Sequence, residues 1–92
     1  MNKNLPPHLP VCDPYRRQFP PEWKESFFRR NLNEIRRGYV CPDCGDVFVG
    51  TNGLEHLEAD HVIPFSKGGL TVWNNLILRC KRCNIAKSDT VC

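Results

Sequence analysis

Several kinds of segment are missing from this 92-residue sequence. No apolar run approaches the roughly 20 residues a helix needs to cross a bilayer, so a membrane is not an expected partner. The opening stretch, MNKNLPPHLPVC, holds no apolar run of signal-peptide length, and an intracellular, cytoplasmic chain is expected. No internal repeat appears beyond two Cys-x-x-Cys hooks, and no low-complexity tract beyond a proline-rich opening. Strong charge is missing too. Thirteen Lys and Arg against ten Asp and Glu leave a formal +3, a weak pointer to a polyanionic partner. The length suits one small domain over residues 1–92, with a limited core that commonly needs a staple.

The basic residues are unevenly placed. Residues 1–40 hold eight Lys or Arg and four acids, residues 41–59 no Lys or Arg and four acids, and residues 60–92 five Lys or Arg and two acids. Anion binding must therefore come from local patches. Four metal-bound thiolates and a divalent ion would lower the net charge further.

Six cysteines are present. Cys41, Cys44, Cys80 and Cys83 form C-x2-C-x35-C-x2-C, two hooks of chelating spacing. In a reducing compartment such pairs are metal ligands before they are disulfides. Zinc takes four thiolates tetrahedrally, and a closed set has no open position for chemistry. A structural Zn²⁺ is the expected staple, tying the knuckle YVCPDCG to the last helix. The alternative is four reduced cysteines, or disulfides in an oxidising setting. Cys12 and Cys92 receive no role.

Six of the eight prolines lie in residues 1–21. Proline fixes φ and removes a donor, so an extended, solvated basic arm is expected there. His8 and Cys12 in it are not expected to form a third metal site. Tyr15, Arg16 and Arg17 are possible phosphate contacts. Residues 22–37 read as an accessory helix with Trp23, Phe27, Phe28, Leu32 and Ile35 on one broad apolar face and Gly38 as terminator. Its Arg29, Arg30 and Arg37 form either a solvated or a phosphate-contacting face. Short strands are expected at 47–49 and 76–78, a turn at 51–53, a strand at 54–63 ending before Pro64, a loop at 66–75, and a helix over 80–88.

Four further residues carry chemistry: Asp60, His61, Asn75 and Asn84. Phosphodiester hydrolysis needs a base for water, a cation for the phosphate charge, and something to hold the base. A neutral histidine, with a reference pKa of about 6.5, suits the first task. A carboxylate and an amide oxygen are hard ligands for Mg²⁺ or Mn²⁺. Singly, each residue has a bland reading: a satisfied histidine, a turn cap, a turn former, an exposed helix residue.

Together, E-A-D-H-V-I-P, the K-G-G loop, N-L-I-L-R-C and C-x-x-C-N-x-x-K resemble the HNH endonuclease family of the ββα-metal superfamily. The resemblance covers residues 39–89. It implies a small α+β fold whose ββα-metal core is stapled by the four-cysteine zinc site and preceded by the arm and helix. It implies His61 as general base, Asp60 and Asn84 as ligands of a catalytic Mg²⁺ or Mn²⁺, and Asn75 as brace of the backbone that carries the base. Asn84 stands where the family name has its final His, a variant that many members share. Lys87, three residues on, would share the helical face of Asn84. Lys67, Arg79, Lys81 and Arg82 are the other candidate phosphate contacts. His56 has no matching role, and Glu58 is close enough to tune the site.

One geometric conflict follows. Neighbours in a regular strand point to opposite faces, so the strand must bend or end at Asp60-His61. The expected function is hydrolysis of DNA, double-stranded by expectation, with a monomer nicking one strand. Double-strand cleavage would need two sites, and nothing fixes the oligomeric state or target sequence. The alternative is a non-catalytic zinc-containing module that binds nucleic acid. A third is a structural zinc ribbon for protein contacts through Trp23, Phe27 and Phe28.

Overall fold

The computed structural model describes residues 4–90, with the side chains of residues 4–86. The order is α1 (Pro21–Arg30), β1 (Tyr39–Val40), β2 (Val47–Phe48), α2 (Gly50–Glu55), β3 (Leu57–His61), β4 (Leu76–Cys80) and α3 (Lys81–Thr90). Single 3₁₀ turns cover Phe65–Lys67 and Trp73–Asn75. Among the described residues no helix is long and apolar enough to cross a membrane. The fold is small α+β, and β3, β4 and α3 supply a ββα unit.

β3 and β4 pair antiparallel from Leu57↔Cys80 to His61↔Leu76. Strict alternation on β4 buries Leu76, Leu78 and Cys80 and leaves Ile77 and Arg79 partly exposed. Trp23, Leu57 and Leu78 are fully buried, each contributing about 1.5–3 kcal/mol of transfer energy. β1 and β2 form a second ladder, Tyr39↔Phe48 and Val40↔Val47, with the first cysteine hook in the turn between them. Tyr39 reaches across to β4, its hydroxyl donating to the Leu78 carbonyl at 2.6 Å.

The opening segment is not the solvated arm that its prolines suggest. Cys12 is buried, and Leu5, Leu9 and Phe19 pack against the core. Proline lacks a donor but keeps its carbonyl, and those carbonyls are used. Pro10 accepts from Trp23 Nε1 at 2.8 Å, and Pro14 accepts from the Thr71 N–H at 2.8 Å.

The first helix is also shorter than the expected 22–37. It stops at Arg30 because asparagine side chains offer the backbone other partners. Asn31 Nδ2 donates to the Phe27 carbonyl, and Asn33 Oδ1 accepts from the N–H groups of Ile35 and Arg36. Asn33 then bridges to Gly38. Leu32 and Ile35 are consequently exposed, not part of the apolar face.

Residues 54–63 hold less strand than expected. Thr51 to Gly53 lie inside α2 rather than in a turn, and β3 begins only at Leu57. Gly53 permits this: a Cβ there would sit 2.6 Å from the Phe48 backbone carbon, so only glycine lets α2 fold against β2.

Candidate active site and metal centre

The register places one hook at the start of the β3–β4 ladder. Cys80 ends β4, Cys83 follows in the first turn of α3, and β1 brings Cys41 and Cys44 beside them. The four Sγ atoms lie within 4.8 Å of one another, with Cys44 and Cys80 3.8 Å apart. Tetrahedral zinc–thiolate geometry requires sulfurs about 3.8 Å apart, so the donor set fits zinc in number, kind and spacing. Among the described residues this is the one group of three or more His, Cys, Asp or Glu side chains so placed.

The thiols are prepared unequally. Burial pushes Cys41 up, but backbone N–H groups of Cys80, Cys44 and Asp43 outweigh it and bring its pKa down to about 7. Cys83 is pushed well up, first by its hydrogen bond to Cys80 and then by burial. Without a cation the cluster cannot hold four negative charges, and a bound metal is what would let all four ionise.

Along β3, from Glu58 to the His61 end of the same ladder, lies an open cavity of about 650 Å³. Glu58, Asp60 and His61 from β3 line it together with Asn84 from α3. β3 ends at His61. Alternation puts Glu58 and Asp60 on one face, while His61, as the terminal residue, borders the cavity at the strand's end. Asp60 Oδ1 accepts from the His61 N–H at 2.8 Å, and Asp60 Oδ2 from Arg79 Nε at 3.1 Å. Asn84 Nδ2 donates to Glu58 Oε1 at 2.8 Å. That bond holds the amide by its nitrogen and points to Oδ1 as the atom that can accept or coordinate.

Asn75 is 8% exposed and holds the loop after His61. Its Oδ1 accepts from the Ile63 N–H at 2.8 Å, and its Nδ2 donates to the carbonyls of Ile63 and Leu70 at 3.1 and 2.9 Å. Gly69 makes room for this: a Cβ there would lie 1.7 Å from the Ile63 carbonyl oxygen and 3.0 Å from Asn75 Nδ2.

His61 is 8% exposed and lies between two rings, with centroids 4.4 Å from Phe19 and 5.6 Å from Phe65. Its Nε2 is 2.8 Å from Thr71 Oγ1. Thr71 is fully buried, and its single hydroxyl proton goes to the Arg16 carbonyl. Thr71 must therefore accept from His61. The imidazole proton sits on Nε2, and Nδ1 is the basic nitrogen.

The cations fall into two groups. Arg79, 13% exposed, joins the metal cluster to the cavity: Nη1 lies 2.7 Å from both Asp43 oxygens while Nε holds Asp60. Arg82 pairs with Asp46 at 2.9 Å on the surface, and Lys67 and Lys81 are exposed. The side chain of Lys87 and all of Cys92 lie outside the described residues. Two further cations line the cavity: Lys24 from α1, given no role in the sequence reading, and Arg17 from the arm, there a possible phosphate contact, which lies 5.7 Å over the Phe65 ring. Burial, then repulsion from Lys81, holds the Lys24 ammonium below its ordinary value against the pull of Glu58 and Glu55. His8 and His56 are exposed and stand outside the cavity.

A model of the HNH endonuclease family matches residues 41–90 of this chain. The chain belongs to that family. Its HNH portion begins at the first zinc hook and runs through the ββα unit, leaving the arm and α1 outside the match. The chain is also 33% identical over 75 residues to zinc finger protein 687 of Homo sapiens. That likeness covers 73% of this chain but only 6% of the relative's length. No solved structure matches. HNH membership marks a nuclease-family or nucleic-acid-binding role. Of the residues missed by sequence reading, Thr71 lies within the match, while Lys24 and Phe19 reach the site from α1 and the arm. The signal available for the arm was its run of apolar residues among the prolines, Leu5, Leu9, Val11 and Phe19.

Proposed function

We propose that this chain is a metal-dependent HNH endonuclease that hydrolyses DNA phosphodiester bonds. The observation that carries this reading is one cavity bordered by a base, a carboxylate and an amide oxygen, each held from its far side. His61 takes the proton of the attacking water on Nδ1. Asp60 and Asn84 Oδ1 are hard oxygen donors on the same cavity and fit a Mg²⁺ or Mn²⁺ ion. Such an ion, when bound, supplies charge stabilisation for the phosphate and the departing 3′ oxygen. Asn75 keeps the loop behind His61 in place. Lys24 and Arg17 face the cavity with the positive charge that a phosphate backbone needs, and Lys67, Lys81, Arg82 and Lys87 would extend that path. Double-stranded DNA is the substrate class, the products are a 5′-phosphate and a 3′-hydroxyl, and a monomer nicks. The structural zinc holds β1, β4 and α3 in register and takes no part in the reaction. Residues 39–89 form the catalytic core, with the arm and α1 as its support.

The test is nicking of supercoiled plasmid by zinc-loaded protein, with and without Mg²⁺ or Mn²⁺, beside His61→Ala. Conversion to open circle that requires both the ion and His61 is the expected result. A second reading has the likeness to a zinc finger protein in its favour: a non-catalytic zinc module that binds nucleic acid. It requires salt-dependent DNA binding by folded, zinc-replete protein with no cleavage under any divalent ion.

A further inference from the structure

Resting on the reading of His61 as base, we propose that Thr71 is a positioning residue through which the Arg16 carbonyl fixes the His61 tautomer. The relay has three members and one direction. Arg16 offers only a carbonyl, so Thr71 must donate to it. Thr71 then has only lone pairs for His61 Nε2, 2.8 Å away, which must carry the ring proton. Nδ1 is left as the proton acceptor, and the opposite tautomer would set a lone pair against a lone pair in a site where Thr71 is fully buried.

The relay is rigid at each joint. The Thr71 N–H donates to the Pro14 carbonyl at 2.8 Å, so the arm holds this residue by backbone and side chain together. Phe19, three residues past Arg16, lies against the imidazole face. The arm thus supplies a carbonyl, a ring and a backbone anchor to a base that lies in the HNH match, although the arm itself lies outside it. Removing the acceptor at Thr71 would leave a buried N–H without its partner and let the ring adopt either tautomer.

The experiment uses full-length, zinc-loaded protein with ¹⁵N-labelled histidine. Two-bond ¹H–¹⁵N correlation at a pH where the ring is neutral reports which nitrogen carries the proton, and His61→Ala assigns the signal among the three histidines. The wild type is expected in the Nε2–H form. Thr71→Val is expected to raise the Nδ1–H share and lower plasmid nicking about tenfold, as loss of an orienting partner does. Thr71→Ser, which keeps the hydroxyl, should restore both. A wild-type ring protonated on Nδ1 overturns the relay without need of any variant. So does an unchanged tautomer in a folded Thr71→Val. Nicking retained by His61→Ala would instead remove the base itself and the proposal with it, a separate outcome from failure of the relay alone.

Discussion

The two ends of the β3–β4 ladder make opposite use of polar side chains. At the Cys80 end, four identical soft donors converge on one point and close it. Along β3 toward the His61 end, unlike groups border an open cavity, and each is held by a neighbour: His61 by Thr71, Asn84 by Glu58, Asp60 by Arg79. The closed end suits a staple, because every donor is used. The open end suits chemistry, because unlike polar groups border a space that solvent or a ligand can enter. Perturbing the first should change the fold, and perturbing the second should change the reaction.

The largest effect should come from the closed end. Structural zinc sites contribute about 10–16 kcal/mol of apparent binding energy, comparable with the whole stability of a small domain, about 5–15 kcal/mol. Cys80→Ser, or a strong chelator on the wild type, should therefore abolish the cooperative thermal transition seen by circular dichroism. A chelated protein that melts normally would break the comparison at once. At the open end, His61→Ala should cut nicking by about 10²–10⁴-fold while zinc content stays at the wild-type value and the melt, though lowered by the lost packing, stays cooperative. Glu58→Ala is a finer probe. It frees the Asn84 amide to turn, so the Mg²⁺ or Mn²⁺ needed for half-maximal nicking should rise about tenfold, and Asn84→Ala should raise it at least as far.

Arg79 is the test of whether the ends are independent, since one guanidinium binds Asp43 beside the cluster and Asp60 beside the cavity. Arg79→Gln should lower stability by about 2 kcal/mol in denaturant titration and raise the divalent-ion requirement as well. A change in only one readout would show the two ends to be uncoupled. The smallest effect is expected at the rim. Lys24→Ala should weaken DNA binding a few-fold and reduce the slope of log affinity against log salt by about one, with the melt unchanged.

Sequence alone made some of this legible. Two hooks of fixed spacing define a chelate whatever lies between them, so the cluster could be read directly, while the ββα order came from the resemblance to the HNH family. Asp60, His61 and Asn84 could be listed as a set. Their holders could not, because those come from contacts between distant elements: Thr71 meets Arg16 across 55 positions, and Glu58 meets Asn84 across 26. The arm was misread for a specific reason. Prolines forecast an irregular backbone correctly but say nothing of whether their carbonyls face solvent or core. The helix was overextended because Leu32 and Ile35 continue the apolar spacing while Asn31 and Asn33 divert the backbone, and local hydrogen bonding won.

The ladder also sets an order of assembly during synthesis. The ribosome delivers the arm and α1 before the first hook, and the first hook before β4 with the second. A nascent chain that stops before Cys80 lacks two of the four thiolates, the residue that pairs with Leu57, and the Asn84 wall of the cavity. Partial products are thus devoid of staple and site together, and both become complete only once α3 has followed β4 out of the exit tunnel.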